Sequence, residues 1–182
     1  MPRLRPDDTL LLVVDMQERL QPLIHDDAQV RARAAALAEG CRILGVPVVV
    51  TEQYPKGLGR TVPELRPALD AAGGALEKTA FSCADDPAVR ARLDALGRNN
   101  VLLAGVETHI CVLQTALDLV AGGRAAHVVE DAVGSRAPAN KQAGLERMKR
   151  NGVEPSTVEM ALFELMRDSR HPAFKRVQAL IR

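Results

Sequence analysis

Short apolar runs recur along this chain at nearly regular intervals, and stretches with the composition of helices lie between them. Thr9–Val14, Val46–Val50, Ala75–Lys78, Asn100–Ala104, Arg124–Val129 and Val153–Val158 have the length of strands. Helical stretches follow over 30–44, 62–72, 87–96, 111–121 and 138–151, with two more near 159–167 and 172–181. A run such as 9–14, with no polar alternation, suits a strand buried on both faces, as in a parallel sheet. Strand and helix alternating about six times predict an α/β fold. The expected form is a three-layer αβα sandwich on a six-stranded, mostly parallel, Rossmann-like doubly wound sheet. No linker, repeat or low-complexity segment interrupts the pattern, so one domain over 1–182 is expected. The segment 51–63, with Pro55, Gly57 and Gly59, reads as a long loop of the kind that often carries function.

Charge and aromatic content narrow the function. Twenty-four basic against 23 acidic residues leave a net charge of +1, which is no footprint for nucleic acid or an anionic membrane. Aromatic residues are 2%, so base-stacking platforms are not expected. Three cysteines make no disulfide framework. The N-terminal stretch lacks the apolar core of a signal peptide, and no run has the length of a membrane span. A reducing, cytoplasmic setting is the expectation. Neither G-x-G-x-x-G nor a P-loop motif is present, and no cofactor is expected.

In an open parallel sheet, chemistry gathers beyond the carboxyl ends of the strands. Three residues stand at such places. Asp15 ends the first strand, Lys78 ends the third, and Cys111 follows the fourth at the start of a helix. A helix N-terminus and a nearby ammonium both favour a thiolate, and a carboxylate can take its proton. Each residue also has an ordinary role: a buried cysteine packs as a small hydrophobe, and an Asp at a strand end caps the next helix. His109 is two residues from Cys111, about 200° away on a helix, which disfavours a Cys-His pair. His25, His127 and His171 have no ligand spacing. Cys41 suits a core position on a helix, and Cys83, five residues after Lys78, has the position to border the cleft.

Four segments carry a family resemblance over nearly the whole chain. Leu12-Val-Val-Asp15-Met-Gln17, Glu77-Lys78-Thr-Ala-Phe81-Ser82, Leu103-Ala-Gly105-Val106-Glu107-Thr108-His-Ile-Cys111-Val112 and Asp131-Ala-Val-Gly-Ser135-Arg136 resemble motifs of the isochorismatase-like cysteine hydrolases. The closest likeness is to the branch called isochorismatase-domain-containing proteins. The resemblance implies Cys111 as nucleophile, Asp15 as general base and Lys78 as its cationic partner. It also implies a cis peptide at Val106-Glu107, with the Glu107 and Cys111 amides as an oxyanion hole. Gln17, Tyr54, Phe81, Val106 and Thr108 are then the candidates for substrate binding. An N-capping Thr108 would instead occupy the Cys111 amide, and both readings stand. Relatives that bind a metal carry Asp-x-His after the second strand. Here that segment is Thr51-Glu-Gln-Tyr54, so no metal is expected. The implied function is hydrolysis of a small amide or related C–N bond by an enzyme that assembles as a homo-oligomer. The alternatives are a catalytically silent binding or scaffold protein and a redox-sensing thiol protein on the same fold.

Overall fold

The structure, a computed structural model, describes residues 3–182. Met1 and Pro2, the start of the N-terminal stretch considered above, lie outside the described residues. Six strands, β1 (Thr9–Val14), β2 (Val48–Gln53), β3 (Leu76–Lys78), β4 (Asn100–Val106), β5 (Ala125–Gly134) and β6 (Glu154–Ser156), form one sheet in the order β3-β2-β1-β4-β5-β6. Every pairing is parallel. The strand order reverses between β1 and β4, and a doubly wound sheet opens its ligand crevice at such a point. Asp15 follows β1 and Cys111 follows β4, so both leave the sheet at the switch.

Helices α1 (Asp27–Ile43), α2 (Pro55–Leu58), α3 (Arg66–Ala72), α4 (Pro87–Leu96), α5 (Leu113–Ala121), α6 (Pro138–Arg150), α7 (Val158–Met166) and α8 (Phe174–Leu180) complete the chain. Apolar residues of α1, α3, α7 and α8 bury one face of the sheet, and those of α4, α5 and α6 bury the other. The cap of α4 shows how polar groups at the element ends are satisfied. Pro87 takes the first turn, and the Asp86 carboxylate accepts from the amides of Ala88 and Val89.

Three expectations are corrected. The segment after Val50 does not leave the sheet at Thr51. The second strand continues to Gln53 and a one-turn helix, α2, follows, because Thr51, Glu52 and Gln53 all find partners there. The fifth strand runs on to Gly134, with residues 129–132 set against the single residue 104 of β4. The stretch 62–72 is a 3-10 turn (Pro63–Leu65) followed by α3.

One glycine controls the approach of the two switch-point strands. Gly105 has φ +114°, and a Cβ placed there would lie 2.0 Å from the carbonyl oxygen of Val14. Backbone cannot yield as a side chain can, so glycine is required for β4 to lie this close to the residue preceding Asp15.

Candidate active site

Asp15 sits just past β1 with φ 51°, fully buried, and its two carboxylate oxygens are held from opposite directions. Lys78 Nζ donates to Oδ2 at 2.7 Å, and Thr51 Oγ1 donates to Oδ1 at 2.7 Å. Lys78 comes from β3, two strands away. It bridges that gap because the β2–β3 register sets Gln53 beside it, and its ammonium also donates to Gln53 Oε1 at 2.7 Å. The carbonyls of Ala80 and Phe81, at 3.1 and 3.2 Å, complete its shell. Burial pulls the Lys78 ammonium towards its neutral form, but the Asp15 charge and hydrogen bond outweigh it and the net shift is upward. The pair is therefore an ion pair.

The chain between β4 and α5 is a π-helical turn, Thr108–Val112, and not the first turn of an ordinary α-helix beginning at Cys111. Such turns recur at functional sites. The Val106–Glu107 peptide is cis. The Glu107 carbonyl accepts from the amides of both Ile110 and Val112, at 3.0 and 3.3 Å. On the outer side α6 presses against the turn at Gly144, where a Cβ would lie 3.0 Å from His109 Cα. Cys111 is left with 7% of its surface exposed.

The Cys111 thiol is driven well above its ordinary value, first by burial and then by the charge of Asp15, against the opposing pull of Lys78. The pull of a helix N-terminus and an ammonium towards a thiolate is thus opposed at this site. Desolvation and the neighbouring carboxylate outweigh Lys78, and both favour the protonated thiol. Cys41, on α1, is pushed up to about 12 by burial alone.

The other sequence candidates divide. Thr108 does not cap the turn: its hydroxyl is buried with no hydrogen-bond partner among the described residues. Val106 is buried at the end of β4, paired with Gly134. The Gln17 side chain is engaged in holding the loop, since Nε2 donates to the carbonyls of Gln53 and Gly59 and Oε1 accepts from the Gln53 amide. Tyr54 borders a cavity of about 270 Å3 with Glu77, Lys78 and Asp86. Tyr54 and Phe81 are 56% and 55% exposed. A larger cavity, about 560 Å3, lies beyond Ser135 between α1 and α6 and touches none of Asp15, Lys78 and Cys111. His109 turns away to Ser135, with Nδ1 3.0 Å from its hydroxyl oxygen.

Sequence reasoning misses three residues near the site. Thr51 and Gln53 read as loop residues, although their two-residue spacing after an apolar strand puts both side chains on one face. The Glu107 side chain, which has no role in the sequence motif, accepts from the Arg136 amide at 2.9 Å and from Arg136 Nε at 3.1 Å. It ties the end of β5 to the residue that follows the cis peptide.

Residues 9–160 match the family model described as the isochorismatase domain. The chain belongs to the isochorismatase family. Isochorismatase domain-containing protein 1 of Salmo salar is 42% identical over 97% of this chain, which spans 62% of that relative's length. Among solved structures, MAR1 ribonuclease from Caenorhabditis elegans superposes with a TM-score of 0.89 at 38% identity, covering 99% of this chain and 92% of that one. YcaC from Pseudomonas aeruginosa, described with hexane-2,5-diol and covalent acrylamide, superposes with a TM-score of 0.92 at 27% identity, covering 98% and 91%. Membership in the isochorismatase family supports hydrolase chemistry.

Proposed function

We propose that the protein is a metal-independent cysteine hydrolase that cleaves a small amide or related C–N bond. The observation that carries this reading is the buried Asp15–Lys78 ion pair at the switch point, close enough to Cys111 for the Asp15 charge to push the thiol up. Asp15 takes the thiol proton as Sγ attacks the carbonyl carbon, and Lys78 holds the carboxylate through Oδ2 at 2.7 Å. The Glu107 and Cys111 amides receive the oxyanion. Loss of one such donor costs about 2.7–4 kcal/mol of barrier in enzymes that use them. Asp15 returns the proton to the leaving nitrogen, the C–N bond breaks and a thioester remains. Water, deprotonated by Asp15, releases the acid and restores the thiol. Thr108, the first residue of the turn, has a buried hydroxyl with no hydrogen-bond partner among the described residues and is the group assigned to binding substrate. Acrylamide adds to nucleophiles through its C=C bond and keeps its amide, so the covalent acrylamide of the Pseudomonas YcaC structure fits a nucleophilic side chain in that protein.

Each side chain at the end of β2 is already engaged. Thr51 binds Asp15, Glu52 binds Thr61 and Arg60, and Gln53 binds Lys78. That supports chemistry without a metal there. Two of the four aromatic side chains, Tyr54 and Phe81, are exposed, and a homo-oligomer that covers them fits this site.

The name of the C. elegans structure favours a second reading, action on RNA. The near balance of 24 basic and 23 acidic residues argues against it, because phosphate binding requires excess cationic charge. A panel of small amides, carbamoyl compounds and a short RNA separates the two. Turnover of an amide or carbamoyl compound is expected, and Cys111→Ala should abolish it. Cleavage of the RNA alone, unaffected by Cys111→Ala, would replace this reading.

A further inference from the structure

We propose that Thr51 is a positioning residue for the general base, and that Cys83 sets the direction of its hydroxyl, forming a donor chain from Cys83 through Thr51 to Asp15. This rests on the reading of Asp15 as the base for Cys111.

The direction follows from counting protons. A threonine hydroxyl has one, and Thr51 gives it to Asp15 Oδ1 at 2.7 Å. Cys83 Sγ lies 3.8 Å from Thr51 Oγ1. With the hydroxyl proton committed, only the S–H of Cys83 can donate in that contact. Cys83 is fully buried and pushed up to about 11, chiefly by burial, so it holds its proton at neutral pH. Its place is fixed from α5, the helix that continues from the Cys111 turn: the Cys83 amide donates to Thr115 Oγ1 at 2.8 Å.

Thr51 is tied to Asp15 twice. The Asp15 amide donates to the Thr51 carbonyl at 3.2 Å, so backbone and side chain fix the same pair. A β-branched side chain on a strand has little χ1 freedom, which keeps the hydroxyl in place. With Lys78 on one carboxylate oxygen and Thr51 on the other, the carboxylate plane is held at both ends. The titratable groups facing Asp15 are Lys78 from β3, Cys83 from the segment after β3, and Cys111 from the turn after β4.

A donor to an ionised carboxylate lowers its proton affinity, and removing the donor raises it. The pH profile of Cys111 alkylation by iodoacetamide, followed by intact-protein mass, reads that change as the position of its acid limb. Thr51→Val is expected to move the limb to higher pH by roughly one unit. Thr51→Ser, which keeps the hydroxyl, is expected to restore the wild-type limb. Cys83→Ala is expected to move it the same way by less, since a thiol is a weak donor. Far-UV circular dichroism checks the fold, and Thr51→Ala stands in if Thr51→Val does not fold. A Thr51→Val limb that superimposes on the wild type would overturn the inference, as would a Thr51→Ser limb displaced as far as that of Thr51→Val. If Asp15→Asn moves the profile and Thr51→Val does not, the donor chain fails while the assignment of Asp15 as base stands.

Discussion

The strands β1 and β4 begin and end in polar networks, and the two differ in kind. At their amino ends a half-buried Asp8 and the buried Asn100 and His127 form a chain of hydrogen bonds, and Asp8 Oδ1 also accepts from the Asn99 amide at 3.0 Å. Asn100 donates from its backbone amide to the Asp8 carbonyl and from Nδ2 to Asp8 Oδ2, each at 2.9 Å. His127 Nε2 lies 3.1 Å from Asn100 Oδ1 and donates to it as the neutral imidazole. No nucleophile is among these side chains. At the carboxyl ends Asp15, Lys78 and Thr51 are as well buried, but this network faces a thiol that burial keeps protonated. Polar burial alone therefore does not mark a site. What marks the proposed one is a carboxylate beside a thiol, at the end of the sheet where the strand order reverses.

Substitutions at the two ends should separate stability from chemistry. The largest effect is expected at Lys78. Lys78→Met leaves the Asp15 carboxylate buried without its cation, and breaking a buried pair from one side costs about 3–5 kcal/mol. Urea unfolding at neutral pH measures it, and a loss under about 1 kcal/mol, in the range of an exposed pair, would make the carboxyl-end network no more than a surface ion pair. At the amino end Asn100→Ala removes one donor and one acceptor from buried partners and is expected to cost about 1–3 kcal/mol. It should leave the alkylation profile of Cys111 unchanged, and a displaced profile would mean that the two ends are coupled.

The smallest effect concerns His127 and pH. Burial holds its pKa below the ordinary 6.5, against the opposite pull of Glu164 and Glu154. The unfolded chain then binds the proton more readily than the folded one. The His127 contribution is present above about pH 6.5 and is lost as pH falls through that value towards the folded-state pKa. His127→Gln should flatten the decline in stability over that range. A decline as steep in His127→Gln as in the wild type would place its origin elsewhere.

Much of this is legible in the sequence where apolar length and position decide the outcome. β1 has the bounds its apolar run predicts, and α4 begins at the proline that suits its first turn. Asp15, Lys78 and Cys111 are legible as candidates because two fall at strand ends and the third in the turn that follows a strand. The missed parts share one cause, which is polar residues continuing an element whose apolar signal has stopped. β2 keeps Thr51, Glu52 and Gln53 because each has a partner across the site. β5 passes through Glu130 and Asp131, which are held by Lys149 and by the Val158 amide. The π-helical turn has no signal at all, since its residues suit an α-helix equally well. The state of the Cys111 thiol is also out of reach. Dipole and ammonium are visible in a strand pattern, but the burial that outweighs them is not.

Everything proposed for the site requires that Asp15 control the proton of Cys111. The pH profile of Cys111 alkylation by iodoacetamide, compared between the wild type and Asp15→Asn and followed by intact-protein mass, probes that control without knowledge of the substrate. The wild-type profile is expected to show an acid limb set by a carboxylate. In Asp15→Asn that limb should be replaced by the simple titration of a thiol beside Lys78. Superimposable profiles in the two proteins would show that Asp15 does not govern the thiol.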